Sequence, residues 1–260
     1  MVENIERIGR FTSSEIYKLM ATGKGPHGFG DKALTYIREK RIERRLGRSI
    51  DTEVYSRDMA WGTLLEKYVF DLLDDYGYEL TSKDTDVHPD IPHWSGSKDL
   101  ILLLVKIGDI KCYQPKNFSL LTDCILSRDT EYFKKHAPKE YWQLVSNAII
   151  NSVPAAESIS FMPYQKDLNK IRLLADNYDG ADQWKYRFIY ESPDAALAYL
   201  PNNGHYKDLN RFEFIVPQKD IDALTGRVKK AVELLLEGSK PMAAPVPAEQ
   251  ITSSANNLIV

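Results

Sequence analysis

The spacing of apolar positions changes several times along this chain, and the changes divide it into helical and extended stretches. Residues 11–22, FTSSEIYKLMAT, predict a short helix with Ser13 as its N-cap and Leu19 and Met20 following. The next stretch, TGKGPHGFGD, holds four glycines and a proline and predicts a loop. Residues 32–47 predict a helix that stops at Gly47. Residues 58–76 predict a second helix, with Trp61, Leu65, Tyr68, Leu72 and Tyr76 on one apolar stripe. From Glu79 to Val87 the pattern turns to that of a strand. LILLLV, residues 100–105, is a continuous apolar run that predicts a strand covered on both faces. Gly108 is then expected to make a turn, with Asp109 to Tyr113 as the next strand. A helix over 138–151, strands over 157–164, 185–190 and 211–216, and a last helix over 218–237 complete the series. This order predicts an α/β (α+β) fold, a mixed sheet flanked by helices. Residues 1–238 read as one domain. Residues 239–260, rich in Pro, Ala and Ser, read as a flexible tail.

At 260 residues and 43% apolar, the chain can bury one sizeable core, and 27% charged residues exclude a disordered polymer. No apolar run approaches the ~20 residues that span a bilayer, and the first residues lack a signal-peptide stretch, so a cytoplasmic location is expected. Two cysteines, Cys112 and Cys124, exclude a disulfide framework and an iron–sulfur cluster held by this chain alone, and Cys112 reads as a small core residue. A net charge of −3 does not advertise nucleic-acid binding. The distribution of charge carries more information than its sum.

The chemistry concentrates in GSKDLILLLVKIGDIKC, residues 96–112. Asp99 starts the apolar strand and Asp109 lies on the next, so a hairpin brings them together. Two carboxylates at the ends of apolar strands are costly to bury unless a cation neutralises them, and hard oxygen ligands select Mg²⁺ or Mn²⁺. Lys111 projects on the same strand face as Asp109 and can orient an attacking water and offset charge on a phosphate. Ile110 points into the core, leaving its carbonyl as a further metal ligand. Glu66 borders the apolar stripe of the second helix, near Gly62, Val69 and Leu73, within reach of the same metal. Gln143 lies off the main apolar face of its helix (Tyr141, Val145, Ala148), where its amide can hold a water or a carboxylate. A solvated Asp or Lys, a boundary Glu and an ordinary polar helix surface are the corresponding structural readings.

These pieces, in this order, resemble the phage lambda-type exonucleases (the YqaJ-like viral recombinases), a branch of the PD-(D/E)XK nuclease superfamily. RIGRFTSSE resembles the opening motif. Trp61, Gly62 and Glu66 resemble the second, GSKDL leading into DIKCY the third, and Tyr141, Trp142 and Gln143 the fourth. The resemblance runs from about Arg7 to Ile150. It implies a restriction-endonuclease-like core in which Asp99, Asp109, the Ile110 carbonyl and Glu66 bind Mg²⁺ (or Mn²⁺), with two ions expected. It further implies that Lys111 positions water, that Gln143 supports it, and that Arg7 and Ser14 grip a 5′-phosphate, with Ser13 beside them. The chain departs from the pattern at Lys98, Leu100, Asp109 and Tyr113, where Pro, Gly, Glu and Pro are usual; none of these removes a ligand, and Lys98 is expected to repel cations from Asp99.

Arg38, Arg41, Arg45 and Arg48 fall in a narrow helical arc and predict a basic ridge for several phosphates, interspersed with Glu39, Glu43 and Glu53. Lys24 and His27 sit in the glycine-rich loop, expected to form a mobile lip. The leading expectation is an Mg²⁺-dependent 5′-to-3′ exonuclease on linear double-stranded DNA, leaving 3′ single strands for a phage-type recombination partner such as a single-strand annealing protein. The resemblance implies a homotrimer. The alternatives are a superfamily endonuclease of restriction or repair type and a non-catalytic DNA-binding module of the same fold.

Overall fold

The computed structural model of the chain describes residues 7–50, 56–73, 79–80, 85–103 and 105–237. The expected tail at 239–260 lies outside them. A five-stranded mixed sheet runs in the order β2 (Glu79–Leu80), β5 (Leu100–Leu102), β6 (Lys106–Lys111), β7 (Ala155–Phe161) and β8 (Leu209–Ile215). Strands β5 and β6 form an antiparallel hairpin, β6 and β7 are parallel, and β8 returns antiparallel to β7. A parallel pair needs a long crossover, supplied here by α3 (Pro115–Leu126), α4 (Thr130–His136) and α5 (Pro138–Ile150). A second, three-stranded sheet joins β1 (Phe11–Thr12), β4 (Trp94–Gly96) and β3 (Asp86–Val87).

The large sheet separates two cores. On one face, Ile107, Ala156, Phe212 and Phe214 pack with α5, α8 (Gln218–Leu236) and α1 (Asp31–Leu46). On the other, Leu100, Ile110 and Ile159 pack with α2 (Arg57–Leu72) and α6 (Leu168–Asp176). Both sequence-predicted early helices form: α1 ends at Gly47 with φ +66°, a left-handed cap that glycine adopts without cost, and α2 is capped by the Ser56 hydroxyl accepting from the Met59 N–H. The α2 stripe rotates from the expected line, with Val69 and Leu73 buried and Leu72 exposed. No helix among the described residues is long and apolar enough to cross a membrane.

The structure corrects several sequence expectations. Gly108 makes no turn; it lies inside β6, paired with Leu100. The hairpin turns at Leu102–Val105, closed by a 2.8 Å bond from the Val105 N–H to the Leu102 carbonyl, with Leu103 at φ +45°. The turn was hidden because its residues are apolar: Leu103 and Val105 are exposed leucine and valine. The expected strand at 79–87 is two short strands in different sheets. The expected strand at 185–190 is the end of a 3₁₀ turn (Gln183–Tyr186) followed by α7 (Arg187–Glu191). Its buried residues, Tyr186 and Ile189, are three apart, the spacing of a helix face and not of a strand. Ser13 caps nothing. Thr12 occupies that position, and the helix from Ser13 to Met20 is 3₁₀. The glycine-rich loop is held rather than loose: Arg227 on α8 donates to the carbonyls of Leu19, Ala21 and Gly28 and stacks on Phe29.

Candidate active site

The register of the hairpin builds the centre. Leu100 pairs with Gly108, so Asp99, just before β5, falls beside Asp109 on β6. Asp99 Oδ2 accepts the Ile110 N–H at 2.7 Å, which fixes its carboxylate against the end of its neighbour strand. Asp109 is buried. Its Oδ1 accepts from Lys111 Nζ at 2.9 Å and from Gln143 Nε2 at 2.7 Å. Its Oδ2 lies 2.8 Å from the Lys111 ammonium as an ion pair, yet no hydrogen bond is aligned on it.

The electrostatics follow from this crowding. Burial raises the Asp109 pKa to about 7, with the Asp99 charge adding to the rise and Lys111 opposing it. Burial also raises Asp99, joined by the charge of Glu66 and opposed by Lys111. Burial alone would lower Lys111, but the charges of Asp109 and Asp99 outweigh it and hold the ammonium protonated. Glu66, half-buried on α2, thus acts on the centre from the second core. Cys112 is a buried thiol pushed well up by burial, in keeping with a core role.

The helix that carries Gln143 is not a polar surface. Every side chain from Tyr141 to Ala148 is buried, so the polar ones must find partners inside. Gln143 takes Asp109. Asn147 donates to the Ser97 carbonyl at 2.9 Å, two residues before Asp99. Ser146 accepts from Trp94 Nε1 at 2.8 Å and shares a 2.7 Å bond with Ser13. Gly96 is required here, since a Cβ would stand 2.1 Å from Ser13 Oγ and 2.3 Å from Asn147 Oδ1. Ser146 and Asn147 were missed from sequence. Their signal is polar side chains spaced along a helix that is otherwise apolar.

The structure thus brings Asp99, Asp109, Lys111 and Gln143 together, with Glu66 near enough to act electrostatically. Arg7 Nη2 reaches Ser14 Oγ at 3.4 Å, so the expected phosphate pair is adjacent and at the surface. Ser13 sits behind it, buried and bonded to Ser146. Lys24, Arg38, Arg45 and Arg48 are exposed, whereas Arg41 donates to the Leu234 carbonyl near the end of α8 and Glu43 is buried against Lys40. Lys98 bonds Asp86 at 2.5 Å, so its ammonium is engaged by a carboxylate of its own.

Among the described residues no three His, Cys, Asp or Glu side chains cluster as a complete metal cage. The residues still fit a hard divalent cation. Buried Asp109 and half-buried Asp99 press on each other, and one Asp109 oxygen has no aligned hydrogen bond. Mg²⁺ is usually held by one or two carboxylates and completed by substrate phosphates.

No protein-family model matches the chain, and no curated protein matches it. Among solved structures it is similar to an alkaline exonuclease from Laribacter hongkongensis, with a TM-score of 0.60 at 14% identity over 98% of each chain. A second structure of that enzyme, in complex with dAMP, matches with a TM-score of 0.59 at 15% identity, again over 98% of each chain. A phage-related exonuclease from Haemophilus somnus 129PT matches with a TM-score of 0.56 at 15% identity, over 95% of this chain and 96% of that one. The mixed sheet flanked by helices is therefore the fold of these exonucleases, the architecture that the four motifs imply.

Proposed function

We propose that the chain is a metal-dependent DNA exonuclease that digests linear duplex DNA from its 5′ ends. The observation that carries this reading is the joined set of Asp99, Asp109 and Lys111 on neighbouring strands with Gln143 reaching Asp109 from α5. Asp99, Asp109 and the Ile110 carbonyl would hold Mg²⁺ or Mn²⁺, with Glu66 facing a second ion. The cation, when bound, supplies Lewis-acid charge at the scissile phosphate. Lys111 orients the attacking water and offsets charge developing on the phosphate oxygens. The water oxygen bonds to phosphorus, the P–O3′ bond breaks, and a 5′-mononucleotide leaves. Gln143 keeps Asp109 from rotating. Exposed Arg7, joined to Ser14 at the first turn of the 3₁₀ helix, faces a terminal 5′-phosphate. The structural neighbour crystallised with dAMP carries a molecule of the class such an enzyme would release.

The test is incubation with Mg²⁺ of 5′-phosphorylated linear duplex and of covalently closed circles. The reading predicts release of mononucleotides from the linear duplex alone, reduced at least about 10²-fold in K111A. Internal cutting of circles would make the chain an endonuclease of the same fold. Inertness of wild type and K111A alike toward both substrates would make it a binding module.

A further inference from the structure

Helix α5 presents three polar side chains at positions i, i+3 and i+7, and each holds a different part of the centre. Asn147 holds the Ser97 carbonyl, Gln143 holds Asp109, and Glu140 accepts a 2.8 Å hydrogen bond from the Tyr113 hydroxyl. The first two contacts support the metal-side carboxylates. The third belongs to neither. Tyr113 follows Lys111 by two residues, and its ring packs against both cores. Tyr113 and Asp109 are bonded to Glu140 and Gln143, neighbours one turn apart on α5, which sets the phenol beside the Lys111–Asp109 pair. Tyr113 and Glu140 are both half-buried, at the rim beside Lys111, whose side chain is 17% exposed.

A lysine side chain keeps wide rotamer freedom, so an ammonium that must aim a water needs confinement. Asp109 holds the Lys111 ammonium through both oxygens, at 2.9 and 2.8 Å, and shares the first of them with Gln143. A carboxylate near a phosphate site also opposes substrate approach, so Glu140 has no evident use as a direct DNA contact. Its hydrogen bond to Tyr113 gives it one.

We propose that Glu140 and Tyr113 form one positioning unit for Lys111, the carboxylate fixing the phenol and the phenol fencing the ammonium onto Asp109. The proposal rests on the nuclease reading for its purpose but not for its geometry. It is tested with Y113F, E140A, E140Q and the double variant Y113F/E140A. All four variants change only the two half-buried rim positions. In metal-free protein, labelling of Lys111 by an amine-reactive reagent, read by mass spectrometry, is expected to quicken in Y113F and E140A. E140Q, which keeps an acceptor oxygen, should bring it back toward wild type. On linear duplex with Mg²⁺, kcat is expected to fall about ten-fold in Y113F and in E140A, with E140Q restoring most of the loss. KM for DNA should move by less than about two-fold, and the double variant should match the single ones within about two-fold. Unchanged Lys111 labelling in both Y113F and E140A, or losses that multiply in the double variant, would overturn the proposal. A wild-type chain inert toward DNA would sink the nuclease reading, while the labelling would still decide whether the unit positions Lys111.

Discussion

Asp99 and Asp109 are acids that the fold forces together, and the force has a measurable consequence. Both sit above the ordinary carboxylate range, so near pH 8 their ionised forms weaken the metal-free protein. In D99N the amide oxygen can still accept the Ile110 N–H, and Lys111 keeps Asp109. The variant is therefore expected to raise the metal-free Tm by about 2–4 °C, corresponding to about 1 kcal/mol in a chain of this size. Mn²⁺ is expected to raise the wild-type Tm further, and D99N should lose that gain. Thermal melts with and without Mn²⁺ check both, and a D99N protein less stable than wild type without metal would refute the argument. These carboxylates were legible in the sequence because their spacing fits a hairpin and because Asp109 and Lys111 alternate onto one face. Gln143 was legible only as one of two equal readings, since sequence does not show that α5 is buried on nearly every side. The role of Ser13 was misread for the same reason: a serine at a helix start looks like a cap until a third element, here Ser146 of α5, arrives against it.

At the scale of elements, α8 does more than cover the sheet. Arg227 takes up carbonyls at the end of the 3₁₀ helix and in the glycine-rich loop, and so joins the segment carrying Ser14 to the main core. Hydrogen bonds to a charged group contribute about 1.5–3 kcal/mol, so R227A is expected to speed amide exchange at residues 21–30 by roughly 10- to 100-fold. Exchange in β6 and β7 should hardly change. A uniform rise across the chain would instead mean that Arg227 supports the whole fold. Legibility was uneven at this scale. α1 was read nearly to its ends and α2 nearly to its start; residues 74–76 of the second expected helix, Tyr76 among them, lie outside the described residues. The crossover helices α3 and α4 were not assigned, and α6 was missed, although each buries an apolar face. The stretch 185–190, expected as a strand, carries Tyr186, Phe188 and Tyr190 in an alternation that also fits a pleated surface. Its partners are helices, and packing against them set its period.

For the molecule as a whole, the sheet order and the parallel β6–β7 pair place both carboxylates where two cores meet. Residues from α2 and α5 reach the centre from opposite faces of one sheet. That convergence is a property of topology, and neither helix alone announces it in sequence. The fold class was nonetheless predictable from the sequence of elements, because an apolar hairpin followed by a long helical crossover leaves few arrangements open. In the proposed enzyme, Asp99 and Asp109 would jointly hold a divalent cation beside Lys111. Crystals soaked in Mn²⁺ and measured at the manganese absorption edge test it most directly. An anomalous peak bonded to Asp99, Asp109 and the Ile110 carbonyl is expected. Absence of a peak there, in crystals of protein that cuts DNA in the same Mn²⁺ buffer, would contradict it.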